Sequence, residues 1–219
     1  MRERTVGLAV WVGIAAVLIG VVGVGVWSLM RPAAPRQSSV LQGGGAFGKV
    51  PDFTLIERSG RPLSLGDLAG RYWVADFIFT RCTGVCPLLT TRMASLIQSL
   101  SDKPGAGQMR FVSFTVDPDW DTPEVLSHHA STLGIADPRW LFVTGARQDL
   151  YRLIGEGFKL SVAQNDAVGA SAGDLITHSD RFVMVDPKGE IRGYYHGDEE
   201  ATVASLTRDL EQLWRQDAR

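Results

Sequence analysis

The chain has 219 residues, 22 Lys or Arg against 24 Asp or Glu, a formal net charge of −2, and 45% hydrophobic residues. That length holds one ordinary domain with additions. Nothing in this near-neutral balance suggests a polyanion-binding surface, so nucleic acid is not an expected partner.

The first predicted element is Val6–Met30, VGLAVWVGIAAVLIGVVGVGVWSLM, without a single charge. A helix of that length, rising about 1.5 Å per residue, exceeds the ~30 Å hydrocarbon core. It is also longer than the ~7–15-residue core of a signal peptide. The following RPAAPR offers no clear small-x-small cleavage site. The expectation is an uncleaved anchor, with Trp11 and Trp27 near the two interfaces. Arg2 and Arg4 before the span balance Arg31 and Arg36 after it, so charge alone does not orient it. As the first span, it is expected to leave residues 1–5 in the cytoplasm and to export the remainder into an oxidising compartment. Residues 31–50, rich in Pro, Gly and Ser, are expected to be a flexible tether. A domain over residues 51–219 follows.

DFTLIERSGRPLSLGDL predicts two short extended pieces around a Ser59–Gly60 turn. Tyr72–Thr80, YWVADFIFT, is an apolar run of strand length, as in a central buried strand. After it comes TRCTGVCPLLT, which holds both cysteines of the chain, Cys82 and Cys86. Pro87 marks the first helical position, with Cys86 at the cap and Leu89, Met93, Leu96 and Leu100 on one stripe. Met109–Val116 is a second buried strand. DPDWDTPEVLSHHASTLG predicts a helix capped by Asp121 or Thr122 and stopped at Gly134. Trp140–Thr144 is a third strand and Ala146–Gly155 a helix. Residues 161–177 are expected to be a long polar loop. Arg181–Asp186 and Ile191–Tyr195 form a hairpin around PKG, and Glu199–Arg215 is an amphipathic helix. Strands alternating with helices, then a hairpin and a last helix, imply a mostly parallel α/β sheet covered on both faces. A cysteine pair between the first buried strand and its helix is the thioredoxin-like arrangement, and sites in such sheets form at the carboxyl ends of strands.

Three chemistries fit the pair: a structural disulfide, a redox dithiol, or two soft ligands for a metal. A disulfide closing so small a loop removes little unfolded-state entropy. A sulfur at the helix start faces free N–H groups and the positive end of the dipole, which is expected to lower the Cys86 thiol pKa. Gly84 is expected to permit a tight turn. Two such thiolates suit Cu(I) or Zn(II) and can equally close a disulfide. The pair is spaced by three residues, where the familiar redox motif has two. The segment before RFVMVD, LITHSD, lacks the proline that an ordinary thioredoxin places there and carries His178 instead. His128 and His129 are adjacent on a helix and point apart, and His196 is a turn residue at a strand end. Asp117, Asp119 and Asp121 fit a turn and a capping box, or a role beside the site. Asp76, inside an apolar strand, needs a partner or tunes the thiols.

The segments DFIFTRCTGVCP, SFTVDPDWDTPEVL and ITHSDRFVMVDPKGEIRGYY, in that order after an N-terminal anchor, resemble the Sco/SenC family of membrane-tethered, thioredoxin-fold copper proteins. The resemblance spans about residues 50–215. It implies copper ligands at Cys82, Cys86 and His178, with Cys82 and Cys86 also a redox-active pair. It implies handling of a copper ion for the dinuclear copper centre of cytochrome c oxidase, with subunit II or a related copper acceptor as partner. Many members have an Asp-His pair at the histidine; here Thr177 precedes His178, so the surroundings of that ligand differ. The expected protein binds and transfers copper rather than turning over a substrate. A membrane-anchored thiol–disulfide oxidoreductase acting on the cysteines of the same centre is the alternative. A peroxidase-like thiol enzyme lacks a further resolving cysteine.

Overall fold

The structure, a computed structural model, describes Gly20, residues 47–164 and residues 176–217. The chain divides into two units, Met1–Gln37 and Ser38–Arg219. Apart from Gly20, the expected anchor lies outside the described residues, as does the tether up to residue 46. Among the described residues no helix is long and apolar enough to cross a membrane.

Among the described residues seven strands form one sheet, in the order β2 (Pro62–Ser64), β1 (Thr54–Glu57), β5 (Trp140–Thr144), β4 (Arg110–Thr115), β3 (Trp73–Ile78), β8 (Arg181–Val185) and β9 (Ile191–His196). Its interior strand β3, next to the central β4, has all six residues buried. A strand flanked on both sides and covered on both faces needs an apolar run, and WVADFI supplies it apart from Asp76. β3 pairs in parallel with β4 (Arg110–Thr115), from Trp73↔Arg110 to Ile78↔Thr115. β4 pairs in parallel with β5 (Trp140–Thr144). The other neighbours are antiparallel. These are β1 (Thr54–Glu57) against β2 (Pro62–Ser64) and against β5, and β8 (Arg181–Val185) against both β3 and β9 (Ile191–His196). The expectation of a mostly parallel sheet therefore holds only for β3, β4 and β5. Parallel pairing needs a long crossover, and only the cysteine helix and its successor provide one here. The hairpins at both edges enter antiparallel.

The described helices are α1 (Leu65–Leu68), α2 (Cys86–Leu100), α3 (Pro123–Thr132), α4 (Arg147–Arg152) and α5 (Thr202–Asp217). α2 buries Leu89, Met93, Leu96 and Leu100, the stripe expected from their spacing, and packs against α5. Thr122, rather than Asp121, caps α3 by accepting the Val125 N–H. Gly134 stops it at φ +67, a left-handed conformation that suits glycine. The expected helix at 146–155 is α4 followed by a π-helical turn, Leu153–Gly157. The expected polar loop at 161–177 instead contains two short strands, β6 (Val162–Gln164) and β7 (Ile176–His178), paired only with each other. Three residues are too few for an alternating pattern to register in sequence.

Candidate thiol and metal site

β3 ends at the edge of the core, and Phe79 beyond it is still buried. The chain then turns through Thr80 and Arg81. Cys82 donates its N–H to the Phe79 carbonyl at 3.2 Å. Cys86 is the first residue of α2, after an N-cap Val85 that makes no side-chain cap. The cap position expected for Cys86 therefore falls one residue earlier. Both sulfurs are reduced thiols, Cys82 half-buried and Cys86 5% exposed. Gly84 is not forced by geometry: a Cβ there would lie 3.9 Å from Cys82 Sγ, ordinary contact.

The Cys86 thiol is pushed well up from its usual range. Burial is the main cause, followed by a hydrogen bond with the Cys82 side chain; the negative charges of Cys82 and Asp76 add to it, and a backbone hydrogen bond at Phe79 opposes it. The expected lowering by the helix N-terminus is thus reversed. A sulfur this enclosed loses more by desolvation as a thiolate than the helix end returns.

Asp76 is fully buried in β3, opposite Ser113 of β4. Neither of its oxygens has a hydrogen-bond partner of normal geometry. Burial raises its carboxyl to about 7, and the nearby Ser113 hydroxyl offsets only part of that. The Ser113 Oγ is also engaged by the Trp140 indole N–H at 2.9 Å. The partner that the sequence demanded for Asp76 is not supplied.

Asp121 has the opposite environment. It is as buried as Asp76, but it accepts the Thr80 N–H at 3.1 Å and the hydroxyls of Thr80 and Thr115 at 2.5 Å each. Burial still raises its carboxyl, with the two threonines pulling it down. It ties the segment two residues before Cys82 to the end of β4. Beside it, Arg81 donates through Nε and Nη2 to Asp117, at 3.1 and 2.5 Å. The Arg81 guanidinium also stacks 4.5 Å from the ring centroid of Trp120, which is 51% exposed. Asp119 pairs with Arg147. Of the two expectations for the DPDWD run, the turn and cap does not include this latch, whereas a role beside the site does. The one signal for it was the pair of hydroxyl residues, Thr80 and Thr115, ending the two adjacent buried strands.

His178 ends β7, opposite Val162. The backbone shows how it relates to the cysteines. β8 runs antiparallel to β3, with Ala75↔Val183 and Trp73↔Val185, so the chain enters β8 at the end of β3 from which the cysteine loop leaves. His178 lies three residues before β8. Its backbone is therefore at the cysteine end of the sheet, as the fold expectation required. His128 is exposed on α3, and His129 lies half-buried near Phe142, where burial lowers its pKa. His196 is not merely a solvated turn residue: its Nδ1 lies 3.7 Å from Asp180.

The sequence model of the SCO1/SenC family matches residues 43–215. The SCO1 protein homologue of Bacillus subtilis is 31% identical over 164 residues, 74% of this chain and 81% of that one. The bovine mitochondrial SCO2 homologue is 26% identical over 75% of this chain, which spans 57% of that relative's length. Among solved structures, BsSco, described as a cytochrome c oxidase assembly protein with a disulfide switch, is 29% identical, with a TM-score of 0.63 over 74% of this chain and 91% of its own. Copper-bound ScoI of Arabidopsis thaliana shares the fold at 21% identity, with a TM-score of 0.65 over 77% of this chain and 99% of its own. The fold is the thioredoxin-like α/β fold of these proteins, and the chain belongs to the SCO1/SenC family.

Proposed function

We propose that this protein is a membrane-anchored copper metallochaperone that matures the dinuclear copper centre of cytochrome c oxidase, with copper as cargo and Cys82, Cys86 and His178 as its ligands. The observation that carries the proposal is the pair of reduced thiols, one half-exposed and one enclosed, hydrogen-bonded to each other where β3 meets α2. Residues 6–30 serve as the anchor, 31–50 as the tether and 51–219 as the copper domain on the exported side. The recipient is subunit II of the oxidase or a related copper acceptor.

The donor set suits the cargo. Two thiolates and an imidazole favour Cu(I) and also accept Cu(II). Loading deprotonates both sulfurs, so metal binding releases protons and depends on pH. The half-exposed Cys82 is the sulfur that an acceptor thiolate reaches first, which permits handover by ligand exchange. Enclosure of Cys86 keeps the second sulfur from water during that exchange.

The hydrogen bond between the sulfurs supports a second reading, a thiol–disulfide oxidoreductase. Cys82 as thiolate would attack an acceptor disulfide and form a mixed disulfide. Cys86, after losing its proton, would then displace the acceptor sulfur. Two electrons pass to the acceptor, and Cys82–Cys86 becomes the disulfide.

One titration tests both readings. The full chain in detergent, reduced and then oxidised, is titrated with Cu(I). The expected result is one equivalent bound by the reduced form and none by the oxidised form. Equal uptake by both forms removes the cysteines from the site. No uptake by either, with normal reduction of a test disulfide, favours the oxidoreductase. Extraction of membranes at alkaline pH should leave the protein in the pellet if residues 6–30 are an anchor.

A further inference from the structure

We infer a second metal site, separate from the two thiols, formed by Asp180, His196 and Asp198. One ligand atom from each residue lies within 4.8 Å of the others. Its ion is a divalent first-row transition metal, Cu(II) above Zn(II).

The three ligands come from two places that the sheet brings together. Asp180 immediately precedes β8, and His196 ends β9, where Arg181↔His196 is the first pair of the hairpin. The connection between His196 and Asp198 is a single glycine that the fold cannot replace. A Cβ at Gly197 would collide with the Leu89 side chain and the Asp180 carbonyl. The Gly197 N–H donates to that same carbonyl at 2.9 Å. Asp198 is held by its own carbonyl, which accepts from Arg92 Nη2 at 3.0 Å, and His196 by its carbonyl, which accepts from the Thr202 hydroxyl. The backbone of the cluster is therefore fixed before any ion arrives, which is what a metal site on rigid elements needs.

The charge balance points the same way. Among the described residues, neither the Asp180 nor the Asp198 carboxylate has an ion pair with Lys or Arg, and the imidazole Nδ1 of His196 lies 3.7 Å from Asp180. Two carboxylates and an imidazole within a few ångströms leave room for a divalent cation to complete the charge. One nitrogen and two oxygens form a borderline donor set, for which affinity peaks at Cu(II) in the divalent series. The side chains of Asp180 and His196 are only about one-third exposed, at 33% and 38%, while Asp198 faces solvent. Such a site keeps open coordination positions for water. Leu89, against which Gly197 sits, lies one turn into the cysteine helix, so the cluster adjoins the start of α2. The site uses none of the thiol ligands, so it stands whether or not the copper-chaperone reading does.

The test uses the full chain in detergent, with Cys82→Ser and Cys86→Ser so that the thiols contribute nothing. Cu(II) is added to one equivalent and followed by electron paramagnetic resonance. The expected result is a single Cu(II) signal with coupling to one nitrogen. His196→Ala should abolish it, and Asp198→Asn, at an exposed position, should weaken binding at least about tenfold. His128→Ala should leave it unchanged. Circular dichroism confirms that each variant is folded, and Asp198→Asn carries the test if His196→Ala is not. Absence of a bound signal in the thiol-free protein overturns the site. So does a signal that survives both His196→Ala and Asp198→Asn.

Discussion

The two sides of the candidate copper site are built differently. The cysteine side is bolted to the central sheet: Asp121 ties Thr80 to Thr115, Arg81 is pinned by Asp117, and Cys86 is enclosed at the head of α2. The histidine side is carried by β7, whose strand partner among the described residues is β6, outside the seven-stranded sheet. A donor pair on a rigid frame costs little to organise when an ion binds. A third donor on a separate two-stranded ribbon can approach or leave without disturbing that frame. Such a division suits cargo that must be held and then released, and a permanent centre would gain from fixing all three donors equally.

The sharpest test of the rigid side is its sulfurs. Cys86→Ser and Cys82→Ser should each abolish Cu(I) loading, a larger loss than the ~10–100-fold typical of outer-shell changes, measured by competition with a Cu(I) chelator. If either variant loads like the parent, the pair is not the frame of the site.

Asp121 comes next. Asp121→Ala leaves the Thr80 N–H and two hydroxyls without their acceptor, each loss worth about 1–3 kcal/mol when buried. Urea unfolding of the Ser38–Arg219 unit within the full chain should show a loss of roughly 3 kcal/mol, with weaker Cu(I) binding as the loop loosens. Unchanged stability would mean that the cysteine side is not rigidly held. Asp76 tests the same frame through pH. Its folded pKa of about 7 stands above the ordinary carboxylate value of 3.8. The unfolded chain therefore releases this proton first. The contribution of Asp76 to stability is fully present below pH 4, is lost as pH rises towards 7 and is flat beyond, the total loss being at most about 4 kcal/mol. Asp76→Asn should flatten this slope, as read by denaturation at a series of pH values. An unchanged slope assigns the pH dependence elsewhere.

On the ribbon side, His178→Ala should remove the Cu(II)–thiolate absorption and weaken Cu(I) binding modestly, while the thiol count and the dithiol–disulfide cycle persist. Loss of thiol cycling in this variant would show that the two sides are not separable. The smallest effect belongs to Trp120→Ala, which removes the stack on Arg81 and should cost about 0.5–1 kcal/mol.

Legibility in the sequence followed the range of the interactions. β3, β4, β5 and the α2 stripe could be read because burial imposes a local pattern on consecutive residues. The cysteine pair could be read because its chemistry is confined to five positions. Asp121 could be read as a cap because capping is local, but its alternative role beside the site had no named partner, because Thr80 lies 41 positions earlier. The lowered thiol pKa expected of Cys86 came from the helix end alone, and the enclosure that reverses it is set by side chains distant in sequence. β6 and β7 were too short to show a period. The Asp180–His196 approach depends on the β8–β9 register, which no single residue type announces.

The antiparallel contact between β3 and β8 has a consequence for biosynthesis. The dithiol lies in the first half of the domain and the proposed histidine near its last strands, and only that contact brings their backbones to one end of the sheet. A chain emerging from the membrane in order would expose both cysteines to oxidants well before its C-terminal hairpin could dock. During that interval the pair is open to disulfide formation but lacks its third donor. On the proposed exported placement, reductant is required on that side from the start of translocation, and copper only after its end.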